Sequence, residues 1–299
     1  MTHTTIPSST ASSPQRWAMM ALIAGGIAIG SSPIFVRLSE VGPLATGFWR
    51  LALAILPLLL IDGRDRHEKN DAAPLTLPDC LRLAVPGIFI AADLAAWHLS
   101  LHMTSVANAT LLANMAPIFV TIGAWLLFKS RVSASFTVGL AVAILGVIVL
   151  KGGPGELVHA QSSGDAMALL AAVFYAGYIL SVGRLRSRFS TMRIMLWSSG
   201  IAALFSLPVA YFMEDQILPA TLYGWLILAG LAWVTHAAGQ SMIAYALAYL
   251  PASFSSLTLL LQPVIAAFLA WTILAEPIGS LQALGGAIVI SGILIARRG

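Results

Sequence analysis

The chain has one cysteine, Cys80, in 299 residues. An intrachain disulfide is therefore excluded, and no metal site can rest on thiolates. Charge is scarce as well: Asp, Glu, Lys and Arg make up 9% of residues, against about 25% in a soluble domain. A disordered chain needs low hydrophobicity with high net charge, and a nucleic-acid binder needs clustered bases. This sequence offers neither. It has no Gly-rich phosphate loop, no Gly-x-Ser-x-Gly elbow and no His-Glu-x-x-His motif. The signatures of ATP-driven pumping, serine-type hydrolysis and zinc proteolysis are thus missing. No cofactor, metal ion or nucleic-acid partner is expected.

What the chain has is apolar sequence. Hydrophobic residues reach 59%, and the mean hydropathy is +0.89. A helix needs about 20 apolar residues to cross roughly 30 Å of hydrocarbon. Ten such runs occur, at residues 17–38, 44–61, 81–101, 105–128, 134–150, 164–183, 193–213, 222–247, 252–275 and 278–296. The second, fifth and tenth are short. An open sheet edge cannot be satisfied in lipid, and no run alternates like a barrel strand. The expected fold class is an all-α polytopic membrane protein of ten transmembrane helices. Residues 1–16 read as a disordered polar tail, the first run as an uncleaved helix, and Asp62 to Asp79 as a solvated connector.

The basic residues set the orientation. Thirteen of the 16 fall on the side of the N-terminus, including Arg64, Arg66, Lys129, Arg131, Arg184, Arg188, Arg297 and Arg298. The opposite loops hold only Lys151, and Arg37 and Arg50 lie within spans. Positive loops stay cytoplasmic, so both termini are expected inside.

The chain also overlays on itself. Shifted by 146 positions, residues 107–150 match the second half without gaps and with eight identities. Pro117 meets Pro263, Trp125 meets Trp271, Gly139 meets Gly285 and Gly146 meets Gly292. Each copy, 17–150 and 151–299, then holds five spans. Five is odd, so the second copy enters the membrane upside down. Inverted repeats are a signature of secondary transporters, whose substrate site lies at mid-depth between the copies.

Several stretches together resemble one known family. Gly30-Ser31 with Phe35, the Phe48-Trp49-Arg50-Leu51 start of span two, Ala172 to Leu185, and Ala252 to Gly292 with Gln262-Pro263 and Glu276 are similar to the EamA-type branch of the drug/metabolite transporter superfamily. The first-span Trp of that pattern is missing here, and Gln262 replaces the usual Glu. The resemblance implies ten helices, an inverted five-plus-five repeat and export of small metabolites or drugs. Within it, the aromatic and amide content is similar to amino-acid exporters of the YddG kind.

Polar side chains in hydrocarbon are costly and face protein or a wet cavity. The residues near mid-depth are Ser32 in span one, Asp93 and Trp97 in span three, Asn114 in span four, Tyr175 and Tyr178 in span six, His236 and Gln240 in span eight, and Gln262 in span nine. Spacings of three or four put Asp93 with Trp97, Tyr175 with Tyr178, and His236 with Gln240 on common helix faces. Asp93 reads as a counter-charge for a substrate ammonium, a proton carrier, a hydrogen-bonded neutral acid, or a partner of a buried base. His236 reads as a proton relay or an interhelical bridge. Asn114 and Gln262 suit a zwitterion or act as interhelical glue, and the aromatic residues suit a cavity wall or simple packing. Arg50, a few residues inside span two, reads as a carboxylate binder, as snorkelling to the outer interface or as part of a structural ion pair.

The expected function is export of small metabolites across the inner membrane by alternating access. Amino acids come first, with aromatic or apolar ones favoured, and protons are a candidate coupling ion. The cavity would be lined by spans one, three, four, six, eight and nine. The partners are a small-molecule substrate and the bilayer, and the protein would be a monomer or homodimer. The rival classes are an intramembrane hydrolase, for which Ser31 and His236 would have to serve as nucleophile and base, and a channel or receptor.

Overall fold

The computed structural model describes residues 13–69, 76–104, 106–152 and 162–298, and every regular element among them is helical. Span one is α1 (Ser13–Gly30) and α2 (Ser32–Leu38). Span two is α3 (Pro43–Ala52) and α4 (Ile55–Lys69). Span three is α5 (Leu77–Met103), span four is α6 (Val106–Ala113) and α7 (Ala116–Phe128), and span five is α8 (Ala134–Leu150). In the second half, span six is α9 (Ser162–Leu185) and span seven is α10 (Thr191–Met213). Span eight joins α11 (Leu222–Gly230), a π-helical segment (Leu231–Gln240) and α12 (Ser241–Ala246). Span nine is α13 (Ala252–Thr258) and α14 (Leu261–Leu274), and span ten is α15 (Ser280–Ala296).

Eight of the ten spans are long and apolar enough to cross a bilayer. The other two, α8 and α15, have 17 residues each. At a rise of 1.5 Å per residue they reach about 25 Å, near the lower limit for crossing. The chain is thus a multipass membrane protein. Of the solvated connector expected from Asp62 to Asp79, residues 70–75 lie outside the described residues; α4 runs on to Lys69, α5 starts at Leu77, and Asp62 and Asp79 at its two ends are buried. Residues 1–12 of the expected tail lie outside the described residues, and Ser13 to Arg16 already belong to α1.

Prolines divide three of the spans. Pro33 lies just past the break at Ser31, whose hydroxyl donates 2.6 Å to the Ala28 carbonyl. Pro117 follows the break between α6 and α7, and Pro263 the break between α13 and α14. A proline removes one backbone donor and crowds the preceding turn. The last two breaks are repeat equivalents.

The repeat holds to the residue. Ala134 and Ser280 start equivalent helices, Leu150 and Ala296 end them, and each pair is 146 positions apart. Lys129 and Ala275, also 146 apart, both close the preceding helix in the left-handed region with φ 55°. The inversion is visible where α8 meets α15. A Cβ on Gly139 would stand 2.5 Å from the Gly292 carbonyl oxygen, and one on Gly146 2.9 Å from that of Gly285. The start of α8 therefore lies against the end of α15, and the end of α8 against the start of α15. Equivalent helices that run antiparallel make the repeat an inverted one. Glycine is needed at these positions because backbone touches backbone, as in small-xxx-small crossings. Of the small pair in α1, Gly30 packs against Ile265 of span nine, whereas nothing lies near Gly26.

Candidate functional site

At mid-depth the halves enclose a cavity of about 160 Å³. Its polar lining is Arg50, Asp93, Tyr175, Gln240 and Gln262, and its apolar lining is Ile29, Leu51, Ile90 and Leu94. Spans one, two, three, six, eight and nine contribute. Span two replaces span four, which was expected from sequence.

Each side chain reaches the cavity for a local reason. Asp93 lies in the middle of α5, past the Pro86 that interrupts its backbone ladder. Gln262 sits in the first turn of α14, at the proline break of span nine. Gln240 ends the π-helical segment, and such i→i+5 segments within α-helices are frequent at functional sites. Arg50 lies in the last turn of α3, which enters the membrane at Pro43. At 1.5 Å per residue the arginine is about 10 Å deep. Its neighbour Trp49 is anchored by its indole N–H, 2.7 Å from the Ile217 carbonyl. The guanidinium points inward, and Nη1 donates to the Ser32 hydroxyl at 3.4 Å. Of the three readings, this position departs from snorkelling and from an ion pair and leaves the carboxylate binder.

The cavity holds unmet hydrogen-bonding capacity. Arg50 Nε, Gln240 Oε1 and Gln262 Nε2 are buried without a protein partner. A buried donor or acceptor left unpaired costs about 1–3 kcal/mol, and more beside a charge. Three such groups around one cavity form a demand that a polar ligand can meet. Tyr175 lies beside the Gln240 side chain, and Asp93, Tyr175 and Tyr178 all lie within electrostatic reach of Arg50.

The remaining mid-depth residues sort by position. Ser32 touches the site through Arg50. Tyr178 packs behind Tyr175, with ring centroids 5.8 Å apart, and is 2% exposed within the core. His236 is buried one turn from Gln240, and its Nε2 meets the Ser199 hydroxyl of span seven at 2.9 Å. Asn114 bends back, its amide donating to the Thr110 carbonyl at 2.8 Å. Trp97 packs edge-on against His98 and is not part of the cavity wall. Of the readings open for Arg50, the cavity position fits the carboxylate binder. Sequence reasoning passed over the partnership of Ser199 with His236, for which there was no signal.

Polar contacts also join the halves near both membrane faces. On the side away from the basic loops, Arg37 pairs with Glu276, and Thr104 donates to Asp165 at 2.8 Å. There the Glu40 carboxylate accepts from the Ala220 and Thr221 N–H groups at 3.0 Å each. Glu214 likewise accepts from the N–H groups of Leu44 and Ala45. On the basic side, Asp79 pairs with Arg188 at 2.7 Å. Exposed pairs and carboxylates at helix N-termini are worth about 0–1 kcal/mol each, and the one pair on the basic side joins a buried Asp79 to an exposed Arg188.

Comparison with known proteins agrees with this architecture. The EamA-like transporter family matches twice, over residues 16–151 and 162–298. An uncharacterized transporter of Archaeoglobus fulgidus is 26% identical over 95% of this chain and 97% of its own. The pseudopaline exporter CntI of Pseudomonas aeruginosa is 26% identical over 84% of each chain. A "Probable terminal-alkyne amino-acid exporter" of Streptantibioticus cattleyicolor is 28% identical over 64% of each. One crystal structure superposes with a TM-score of 0.80 over 97% of this chain and 99% of its own, at 17% identity, a likeness of fold alone. With two family matches laid end to end over an inverted pair of five-helix units, the chain belongs to the EamA-like transporter family.

Proposed function

We propose that this transporter exports small zwitterionic metabolites, apolar or aromatic amino acids first, across a bacterial inner membrane by alternating access. The observation that carries the proposal is the pairing of Arg50 and Asp93 on one small cavity with three unmet polar atoms between spans two, eight and nine. A free amino acid supplies what these groups lack. Its carboxylate suits the guanidinium of Arg50, its ammonium suits Asp93, and the two glutamine amides add one acceptor and one donor. Its side chain has the Ile29, Leu51, Ile90 and Leu94 wall. The volume of about 160 Å³ lies below the roughly 300–1,000 Å³ of drug-sized pockets, which favours an amino-acid-sized substrate over a bulkier drug.

The contacts at the two ends serve as alternate gates in this scheme. Each is weak enough to break in turn, and neither requires an ion. Export down a concentration gradient follows without a coupling ion. The two exporters among the relatives support the direction, and the basic loops support a cytoplasmic placement of both termini.

Liposomes containing only this protein test the proposal. Preloaded with unlabelled amino acid, they are expected to accumulate labelled amino acid by exchange. Uptake no greater than in empty vesicles, across a broad amino-acid panel, overturns it.

A further inference from the structure

The inverted repeat also produces a pair of clefts at opposite membrane faces, each between the end of span four or nine and the α8–α15 pair. The cleft on the basic face measures about 370 Å³ and the one on the opposite face about 390 Å³. Their linings superpose through the same shift of 146. Ala124, Phe128, Ser133 and Arg297 of the first stand where Ala270, Leu274, Gly279 and Lys151 stand in the second.

The charges differ. In the second cleft Glu276 occupies the position of Ser130 and is paired with Arg37, so Lys151 is the one cation left over. The first cleft has Arg131 and Arg297 on its rim and no acidic residue in its lining. A third guanidinium, that of Arg184, stands 5.8 Å over the ring of Phe128 in its wall. The N-terminus of α8 begins at the same rim, at Ser133, and adds the positive end of a helix dipole. Below the rim the wall is apolar, with Ala124 one turn deeper than Phe128 and with Phe254 beside them. A cationic rim above a greasy slot, at the level where spans end, matches a molecule with an anionic head and a hydrocarbon tail.

We infer that the cleft of Arg131 and Arg297 binds an anionic diacyl phospholipid from the leaflet on the basic face. The phosphate lies between the two guanidinium groups, and an acyl chain lies along Ala124, Phe128 and Phe254. Basic pockets between helices on the cytoplasmic side are the recognised chemistry for such head groups. The twin cleft has one surplus cation, Lys151, against the two of this rim, and has the weaker preference. This site is separate from the central cavity and stands independently of the substrate.

The test is native mass spectrometry of the delipidated full chain in detergent, titrated with dioleoyl phosphatidylglycerol and with dioleoyl phosphatidylcholine. The wild type is expected to retain phosphatidylglycerol preferentially. Arg131→Gln with Arg297→Gln is expected to weaken that binding about 30-fold, from about fivefold per cation near the head-group layer. Lys151→Gln, in the twin cleft, is expected to leave it unchanged. Both arginines are exposed, so the double variant keeps its fold, which a thermal melt verifies. Three results overturn the inference: unchanged phosphatidylglycerol binding by the double variant, an equal loss in Lys151→Gln, or displacement of the lipid by sn-glycerol 3-phosphate at equal concentration.

Discussion

Arg50 and Asp93 open onto one cavity from different spans, and among the described residues no ion pair joins them. A pair held for structure would close on itself, whereas a pair that stays apart leaves each charge a ligand-sized gap to satisfy. Removing Arg50 should therefore act on the substrate carboxylate alone. Arg50→Gln is expected to reduce exchange of an amino acid about 10- to 100-fold, the worth of a hydrogen bond to a charged group. The corresponding decarboxylated amine should be handled equally by wild type and variant. Asp93→Asn should show the converse dependence on the ammonium. Counterflow with matched acid and amine pairs reads both effects.

The helix pair at the repeat axis predicts a sharp contrast between glycines. A Cβ on Gly146 would stand 2.5 Å from the Val289 amide nitrogen, while one on Gly26 would meet nothing within 4 Å. Gly146→Ala is expected to cost about 1–3 kcal/mol, as overpacking against backbone does. Gly26→Ala should stay within about 0.5 kcal/mol of wild type. Thermal unfolding in detergent distinguishes them.

His236 is held by Ser199 at 2.9 Å and lies outside the cavity lining, so its geometry is that of a bridge between spans eight and seven. Ser199→Ala is expected to destabilise the protein by about 1–3 kcal/mol through the unpaired imidazole nitrogen. His236→Gln should leave the pH profile of transport between about pH 6 and 8 unaltered. A profile that flattens in the variant would instead make His236 a proton carrier.

The contact of Glu40 with the start of α11 is expected to be acid-sensitive. The Thr221 hydroxyl and the N–H groups of Thr221 and Ala220 hold its carboxyl below the usual carboxylate range. A folded-state value below the unfolded one means the stabilisation is fully present above about pH 4 and is lost as pH falls through the lowered value. Wild type should therefore melt higher than Glu40→Gln at neutral pH, and the difference should shrink as pH falls through that lowered value. Thermal melts over a pH series check the sign.

The architecture was legible because its signals are coarse. The ten apolar runs need only length, and the shift of 146 shows in Pro117 and Pro263 before any coordinate is known. The site was legible in part. Asp93, Tyr175, Gln240 and Gln262 were singled out by depth alone and line the cavity together. Depth could not separate them from Asn114, which satisfies itself on its own helix, or from Trp97, which faces His98. Arg50 stays divided between water, an ion pair and a carboxylate in the sequence because the long arginine stem reaches either water or the interior from the same backbone position. Its direction was set by Trp49 bonding to Ile217, 168 residues away in sequence. The π-helical register at His236 and Gln240 likewise has no local sequence sign.

The antiparallel meeting of α8 and α15 has a mechanical consequence. With main chain against main chain at Gly139 with Gly292 and at Gly146 with Gly285, that seam has no side-chain cushion to compress and no slack in which to slide. It acts as an axle fixed to both chassis halves. Any swing that uncovers one mouth and shrouds the other must be absorbed by the short rods on either side of Ser31, Asn114 and Leu260, which lie off that axle and whose joints already have interrupted hydrogen bonding.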